Sequence, residues 1–414
     1  MTRRGMLTTG VAASLLGFRA RGAVPPVRLV VVLAHGGWDP SLTIDPKPGS
    51  PLADGAAPDL DPDDPLDVET VATWGEIEVS QNERRRPAVS RFFETWWDRT
   101  AVLNGVWVGT LSHWQATIRM LTGTNRSDTA DLAVVAGATL GAELPLAAMD
   151  LSGLARFGPH APRCARSGVR GQLKGLLDPS SRFETDVELV RGSWAATAED
   201  RDAIAAWRAA RVARDLTENA WIAGRTDALL QRAEARSRAD ALEADATELV
   251  DVIPLGLRTA FRDQVPFAVD LLGTDICHSV VLSSGQQWDT HADHSRQHDS
   301  WNNTFLGLDD LAAGLAETGL LDRTLVLVVS EFGRTPLRNA YGGTDHFPYT
   351  SALVFGAGVA SGRRVGGTDE GLVGLPVDDD LLRYDRLAAG VLAAVGLDPA
   401  EVLPGVAPIT SFLG

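Results

Sequence analysis

The chain has 414 residues, 44% hydrophobic and 22% charged, with a formal net charge of −16 at pH 7. The length allows one large or two ordinary domains, and the apolar fraction suits a globular protein with a sizeable core. The acidic balance argues against nucleic acid as a partner, because phosphate contacts want a basic face; an anionic small molecule remains a candidate where a metal or local arginine supplies positive charge.

The N-terminus reads as an export signal. Arg3-Arg4 precede an apolar stretch from Gly5 to Phe18, and Ala20-Arg21-Gly22 fits a small-x-small cleavage rule. Residues 1–23 are expected to be removed, leaving 24–414 as the mature chain. The stretch is too short to span a bilayer, and no second long apolar run follows, so no membrane span is expected in the mature chain. The paired arginines favour the twin-arginine route, which carries folded proteins, often with a cofactor already loaded. A periplasmic or secreted location follows.

Val27 to Ala34 is a continuous apolar, β-branched run, the signature of a strand buried on both faces. His35-Gly36-Gly37-Trp38-Asp39 comes directly after it. Asp45 to Asp67 is rich in Pro, Asp and Gly and reads as an exposed loop or lid. Its Asp59, Asp61 and Asp63 imitate the start of a calcium loop, but Asp64 replaces the turn glycine and Thr70 the closing glutamate. Thr100–Val106 is a second strand, followed by Gly109-Thr110-Leu111-Ser112-His113-Trp114. Ala195 to Leu249 is rich in Ala, Arg, Glu and Asp and predicts a helical insertion over about 195–250.

His278–Ser283 is a third strand, followed by Trp288-Asp289-Thr290-His291-Ala292-Asp293-His294. Trp301, Phe305, Leu308, Ala312 and Leu315 recur at helical spacing, closed by Gly319. Thr324–Ser330 is a fourth strand, with Glu331-Phe332-Gly333-Arg334-Thr335 after it. Thr344-Asp345-His346 precedes a fifth strand, Ser351–Phe355. The alternation predicts an α/β three-layer sandwich on a mainly parallel sheet. The two cysteines, Cys164 and Cys277, match no metal spacing, and Cys277 reads as a buried small residue rather than half of a disulfide. Neither a dinucleotide fingerprint nor a G-x-S-x-G elbow is present.

In an open parallel sheet, strand ends of one sense share an edge, and ligands bind there. The polar motifs should therefore meet. Carboxylates with one or two imidazoles suit zinc or manganese, and an all-carboxylate subset suits calcium. Thr110 and Ser112 are candidate hydroxyl nucleophiles, and Arg334 a candidate anion clamp. Glu331, at the end of an apolar strand, needs a partner; a salt bridge to Arg334 would supply one. His35 and His113 read as packing beside Trp38 and Trp114, and His160, His278 and His298 as structural or surface groups.

Trp288-Asp289-Thr290-His291, Ser330-Glu331-Phe332-Gly333-Arg334-Thr335 and Gly343-Thr344-Asp345-His346 together resemble the twin-arginine-exported family called domain of unknown function 1501. The resemblance spans nearly the whole chain and includes the N-terminal signal and the Gly36-Gly37-x-Asp39 turn. It implies an alkaline-phosphatase-like fold with a one- or two-metal site and a hydroxyl nucleophile. By position, Asp39 would be the metal carboxylate after the first strand, and Thr110 or Ser112 would fill the nucleophile region. Asp289 with His291 or His294 would be the next ligands, and Glu331, Asp345 and His346 the late ones. Phe332 stands where the superfamily pattern has a histidine, so one of two sites lacks a ligand. The expected function is an exported metal-dependent hydrolase of phosphate or sulfate esters. The alternative is a non-catalytic binding or assembly protein on the same scaffold.

Overall fold

Arg28–Leu33, six consecutive buried residues, form the strand at the heart of the sheet, β1. A computed structural model describes residues 26–166 and 260–414, with helical residues 199, 200, 202, 203, 206, 207, 210 and 214 between them. The expected signal, and the expected insertion apart from those helical residues, lie outside the described residues. The remaining strands are β2 (Thr70–Trp74), β3 (Ile77–Gln81), β4 (Thr100–Trp107), β5 (Leu146–Asp150), β6 (Cys164–Arg166), β7 (Cys277–Ser283), β8 (Thr324–Val329), β9 (Gly333–Arg334), β10 (His346–Phe347), β11 (Tyr349–Gly356) and β12 (Arg363–Gly366).

Eight strands form one sheet in the order β12-β4-β11-β8-β1-β7-β5-β6. β1 is parallel to β7 and β8, β5 to β6 and β7, and β12 to β4. β11 alone runs against its neighbours β4 and β8. The five predicted strands are β1, β4, β7, β8 and β11. The reversal of β11 matters for the site. Its N-terminal end lies on the edge where the other strands end, so the motif preceding it reaches the motifs that follow them.

The described helices are α1 (Pro87–Trp96), α2 (His113–Thr122), α3 (Leu132–Leu140), α4 (Phe261–Gly273), α5 (Arg296–Glu317), α6 (Tyr384–Ala394) and α7 (Pro399–Val402). The period-two alternation of β1 splits its side chains between two cores. Val30 and Val32 pack with Phe92 and Phe93 of α1, Phe267 of α4 and Phe305 and Leu308 of α5. Leu29, Val31 and Leu33 pack with Met120 of α2, Leu132 of α3 and Leu387 and Val391 of α6. Helices thus cover both faces, giving the predicted three layers; each such buried side chain contributes about 1.5–3 kcal/mol. The predicted helical stripe, Trp301 to Leu315, is the buried face of α5. Cys164 and Cys277 are free and buried, with burial pushing each thiol up to about 12. No described helix is long and apolar enough to cross a membrane.

The turn after β1 needs glycine twice. Gly36 (φ +128°) and Gly37 (φ +87°) are left-handed, and an added Cβ would lie 2.8 Å from the Asp289 nitrogen or 2.6 Å from the Phe332 ring. The pair lets this turn close against the segments after β7 and β8. Three buried tryptophans fix the same region, each with its indole N–H satisfied: Trp38 to Thr350, Trp288 to Ser284 and Trp301 to the Asp39 carbonyl. The expected lid, 45–67, is fastened at its middle. The Arg338 backbone N–H donates to Asp54 at 2.7 Å, and its guanidinium holds both Asp59 oxygens at 2.6 and 2.5 Å.

Candidate metal centre

The motifs meet at the C-terminal edge of the sheet around Asp289. His291 Nε2 and His346 Nε2 each lie 3.1 Å from Asp289 Oδ1 and 3.1 Å from one another. Local structure explains the placement. β9 and β10 form a short antiparallel ladder that sets His346 opposite Arg334. Thr344 N–H donates to the Thr290 carbonyl at 3.1 Å, and the Asn339 amide to the His291 carbonyl at 2.9 Å, which lashes the two loops together.

The second nitrogen of each ring is committed. His346 Nδ1 lies 2.8 Å from the Leu111 carbonyl, and His291 Nδ1 lies 2.8 Å from Asp345 Oδ1. A carbonyl or carboxylate oxygen only accepts, so each Nδ1 carries the hydrogen, and in a singly protonated ring Nε2 keeps its lone pair. Burial pulls the His346 imidazole below its ordinary value, which keeps it neutral at pH 7. For Asp289, burial works upward, but the hydrogen bonds of Arg334 and His346 and the charge of Arg334 prevail and hold the carboxyl at about 2. Two imidazole nitrogens and a carboxylate oxygen thus converge within 3.1 Å of one another, an arrangement that suits a cation. Ligand atoms on a tetrahedral zinc with bonds of about 2.0–2.1 Å stand about 3.3 Å apart, close to the spacing found here. The donor set fits a divalent metal.

Beside this trio lies a second group, His35, His113 and Glu331, with ligand atoms within 4.8 Å of one another. Glu331 is fully buried and accepts the Gly36 N–H at 2.8 Å. His113 Nδ1 lies 2.8 Å from the same Glu331 oxygen, and its Nε2 turns to Asp289 Oδ2 at 3.5 Å. The Glu331 hydrogen bond raises the His113 imidazole above its ordinary value, against burial. Phe332 lies beneath, 4.2 Å from the His346 ring and 4.9 Å from the His113 ring, centre to centre. It puts an apolar ring against both imidazoles at the position where the superfamily pattern has a histidine.

Several expectations need correction. Asp39 and His294 do not join the trio. Asp39 caps the turn Pro40–Leu42 by accepting the Ser41 N–H, which aims its other oxygen at His294 Nε2, 2.7 Å away. Both belong to a buried network with Asp59, His298 and Arg338. Arg334 is no anion clamp. It is fully buried, and its donors go to the Gly37, Thr344 and Gly36 carbonyls and to Asp289. Its ion pair is with Asp289, so the expected bridge to Glu331 is absent; Glu331 pairs with His113 instead. Asp345 holds His291 from behind rather than joining the centre.

His35 and His113 do not simply pack on tryptophan. Trp38 is buried in the tryptophan cluster and Trp114 is 66% exposed, while both histidines face Glu331. The missed signal was position: each follows a predicted strand end within the same motifs as the accepted candidates. Thr110 and Ser112 lie on the exposed loop whose Leu111 carbonyl holds His346; Thr110 Oγ1 reaches Gln115 at 3.3 Å.

Asp345 gives a first prediction. Carboxylates that orient a ligating histidine contribute about 10- to 100-fold in metal affinity. Asp345→Ala is expected to weaken zinc binding by that factor in a competitive chelator titration; a change under about threefold contradicts the role.

Fold and site define a three-layer α/β protein with a histidine–carboxylate centre at the C-terminal edge of its sheet. Within that class, the chain belongs to the family described as "Protein of unknown function (DUF1501)", whose model matches residues 27–407. No curated protein matches. Solved structures with a similar arrangement include Ps i-CgsB in complex with a neocarrahexaose, at 9% identity and TM-score 0.43, covering 92% of this chain and 75% of that one. A protein in the alkaline phosphatase superfamily from Vibrio parahaemolyticus aligns at 10% identity and TM-score 0.39, over 91% and 67%. The PsFucS1 sulfatase from Pseudoalteromonas sp. aligns at 9% identity and TM-score 0.38, over 93% and 74%. Likeness at this level leaves the chemistry to the side chains.

Proposed function

We propose that this chain is an exported, divalent-metal-dependent hydrolase of small phosphate or sulfate esters. The observation that carries the reading is the convergence of His291 Nε2, His346 Nε2 and Asp289 Oδ1 at 3.1 Å, with each ring's other nitrogen committed. These three residues would hold the metal, whose Lewis acidity would act on an ester oxygen. Two imidazoles favour zinc, then manganese, over calcium.

The chain's own groups divide the remaining work. Asp345 and the Leu111 carbonyl orient the two rings. Arg334 keeps Asp289 ionised and in place. Glu331 locks His113 so that Nε2 faces the centre, where it can exchange a proton with a bound oxyanion. Phe332 excludes water from below. Thr110 and Ser112 remain the candidate nucleophiles, on the loop tied to His346. The Arg3-Arg4 signal supports export to the periplasm or beyond, with the metal fitted before passage.

The test is turnover of p-nitrophenyl phosphate and p-nitrophenyl sulfate by protein loaded with zinc, manganese or calcium. The reading expects metal-dependent hydrolysis that His346→Ala abolishes. Stoichiometric metal without hydrolysis of either ester would favour the second reading, a non-catalytic binding protein on this scaffold. One observation supports that alternative: Arg334 is fully buried and directs its Nε, Nη1 and Nη2 to internal acceptors, away from any anion at the surface of the centre.

A further inference from the structure

Asn339 lies on the loop between β9 and β10, and every hydrogen-bonding position of its side-chain amide is used. Two backbone N–H groups, of Tyr341 and Gly343, point at one terminal atom, at 2.9 and 3.2 Å. That atom is the oxygen, because an N–H only donates. The other terminal atom lies 2.9 Å from the His291 carbonyl and 3.3 Å from Asp345 Oδ1. A carbonyl and a carboxylate only accept, so this atom is the nitrogen with its two hydrogens. The network therefore fixes the orientation of the amide from both ends.

The sequence explains why an asparagine stands here. The loop is a tight turn: the Gly342 N–H donates to the Asn339 carbonyl at 3.1 Å, and the Asn339 N–H to the Gly343 carbonyl at 2.8 Å. Gly342 is left-handed, with φ +78°. An asparagine side chain bonds its own backbone two residues on, which suits such a turn. Gly343 brings the turn down on its neighbour, since a Cβ added there would collide with the His291 carbonyl. The loop thus rests on the backbone of His291, and the Asn339 nitrogen meets it.

One residue therefore holds His291 twice. The His291 carbonyl accepts from Asn339 directly. The ring leans on Asp345, whose Oδ1 takes one hydrogen from His291 Nδ1 at 2.8 Å and another from Asn339 Nδ2. His346 is oriented by the Leu111 carbonyl instead. We infer that Asn339 is a positioning residue for His291: it fixes the main chain and, through Asp345, the ring that presents Nε2 to the centre. The inference rests on the proposed metal-binding reading and adds to it a residue that acts on one of the two imidazoles and not on the other.

Asn339→Asp separates positioning from turn-making. Its carboxylate still accepts the Tyr341 and Gly343 N–H groups, so the turn survives. It brings no hydrogen to the His291 carbonyl or to Asp345, and it sets a second negative charge beside Asp345. In a competitive chelator titration at neutral pH, this variant should bind zinc about tenfold or more weakly than the native chain. In an Asp345→Ala background the same substitution should cost less, because its route to the ring is gone. Metal-free protein carrying nitrogen-labelled histidine gives a second readout by nuclear magnetic resonance. The His291 Nδ1–H should exchange with water faster in Asn339→Asp, while that of His346 stays as in the native chain. Zinc affinity within about threefold of native, or equal changes at His291 and His346, overturns the inference. A failure of the metal reading looks different: the native chain would bind no zinc, and the comparison of the two Nδ1–H signals would still decide the role of Asn339.

Discussion

Asp289→Ala is expected to abolish stoichiometric metal binding, lowering zinc affinity by well over about 100-fold, the upper range for residues that merely orient a ligand. Asp289 has the most partners in the centre: His291, His346, His113 and Arg334 all face its carboxylate. Removing it leaves the two Nε2 lone pairs 3.1 Å apart without an anionic ligand. It also leaves the buried Arg334 guanidinium without its ion pair. Asp289→Asn separates these effects, because an amide oxygen still accepts from Arg334 but brings no charge to the metal. The alanine variant should lose both metal and stability, and the asparagine variant mainly metal. Elemental analysis beside a denaturant melt reads both. Retention of full zinc by Asp289→Ala would remove the residue from the centre.

Asp59→Ala should have the largest effect on stability, about 3–5 kcal/mol, the usual cost of taking one partner from a buried ionic network. The Asp59 side chain is 5% exposed and serves Arg338, His294 and His298. Its loss strands a guanidinium and unfastens the 45–67 loop. The pH dependence can be worked out. Burial opposes charge on His294, but hydrogen bonds to Asp39 and Asp59 prevail and raise its imidazole above the ordinary value. Its contribution is complete below the unfolded value of about 6.5 and fades as pH rises through the higher folded value. Asp59 is held far below 3.8 by His294, His298 and Arg338, against burial, so its contribution is present above 3.8 and lost only in strong acid. Native stability should therefore decline on the alkaline side, and Asp59→Ala should flatten that decline. Urea unfolding from pH 6 to 9 checks both points. A loss within about 1 kcal/mol, ordinary for a surface change, contradicts the network.

The parts of the fold legible in the sequence were those that burial writes in long apolar runs. β1 and β8 are nearly unbroken apolar runs, β4, β7 and β11 are largely apolar, and the α5 stripe is periodic. Short strands left no such trace: β5 is five residues of Leu, Ala, Met and Asp, and β6 and β12 carry arginines. The edge on which the site forms was also legible, because strand ends collect there. What the sequence could not resolve was side-chain direction. Asp39 and Asp289 both sit in turns after strands, yet a capping bond to Ser41 turns Asp39 into a buried network while Asp289 stays at the centre. Arg334 follows Glu331 on an inward-facing ladder, so its donors meet carbonyls instead of a ligand. His113 beside Trp114 has the pattern of a packed pair. Only the three-dimensional position of Glu331 shows that the imidazole, and not the indole, faces inward.

The central claim is that Asp289, His291 and His346 bind one divalent metal through a carboxylate oxygen and two imidazole nitrogens. X-ray absorption of the zinc-loaded protein tests it most directly. The account predicts one zinc per chain, a nitrogen–oxygen shell at about 2.0–2.1 Å and the outer-shell scattering of two imidazole rings, one of them lost in His346→Ala. Substoichiometric zinc, or a shell of oxygen alone without imidazole scattering, would contradict it.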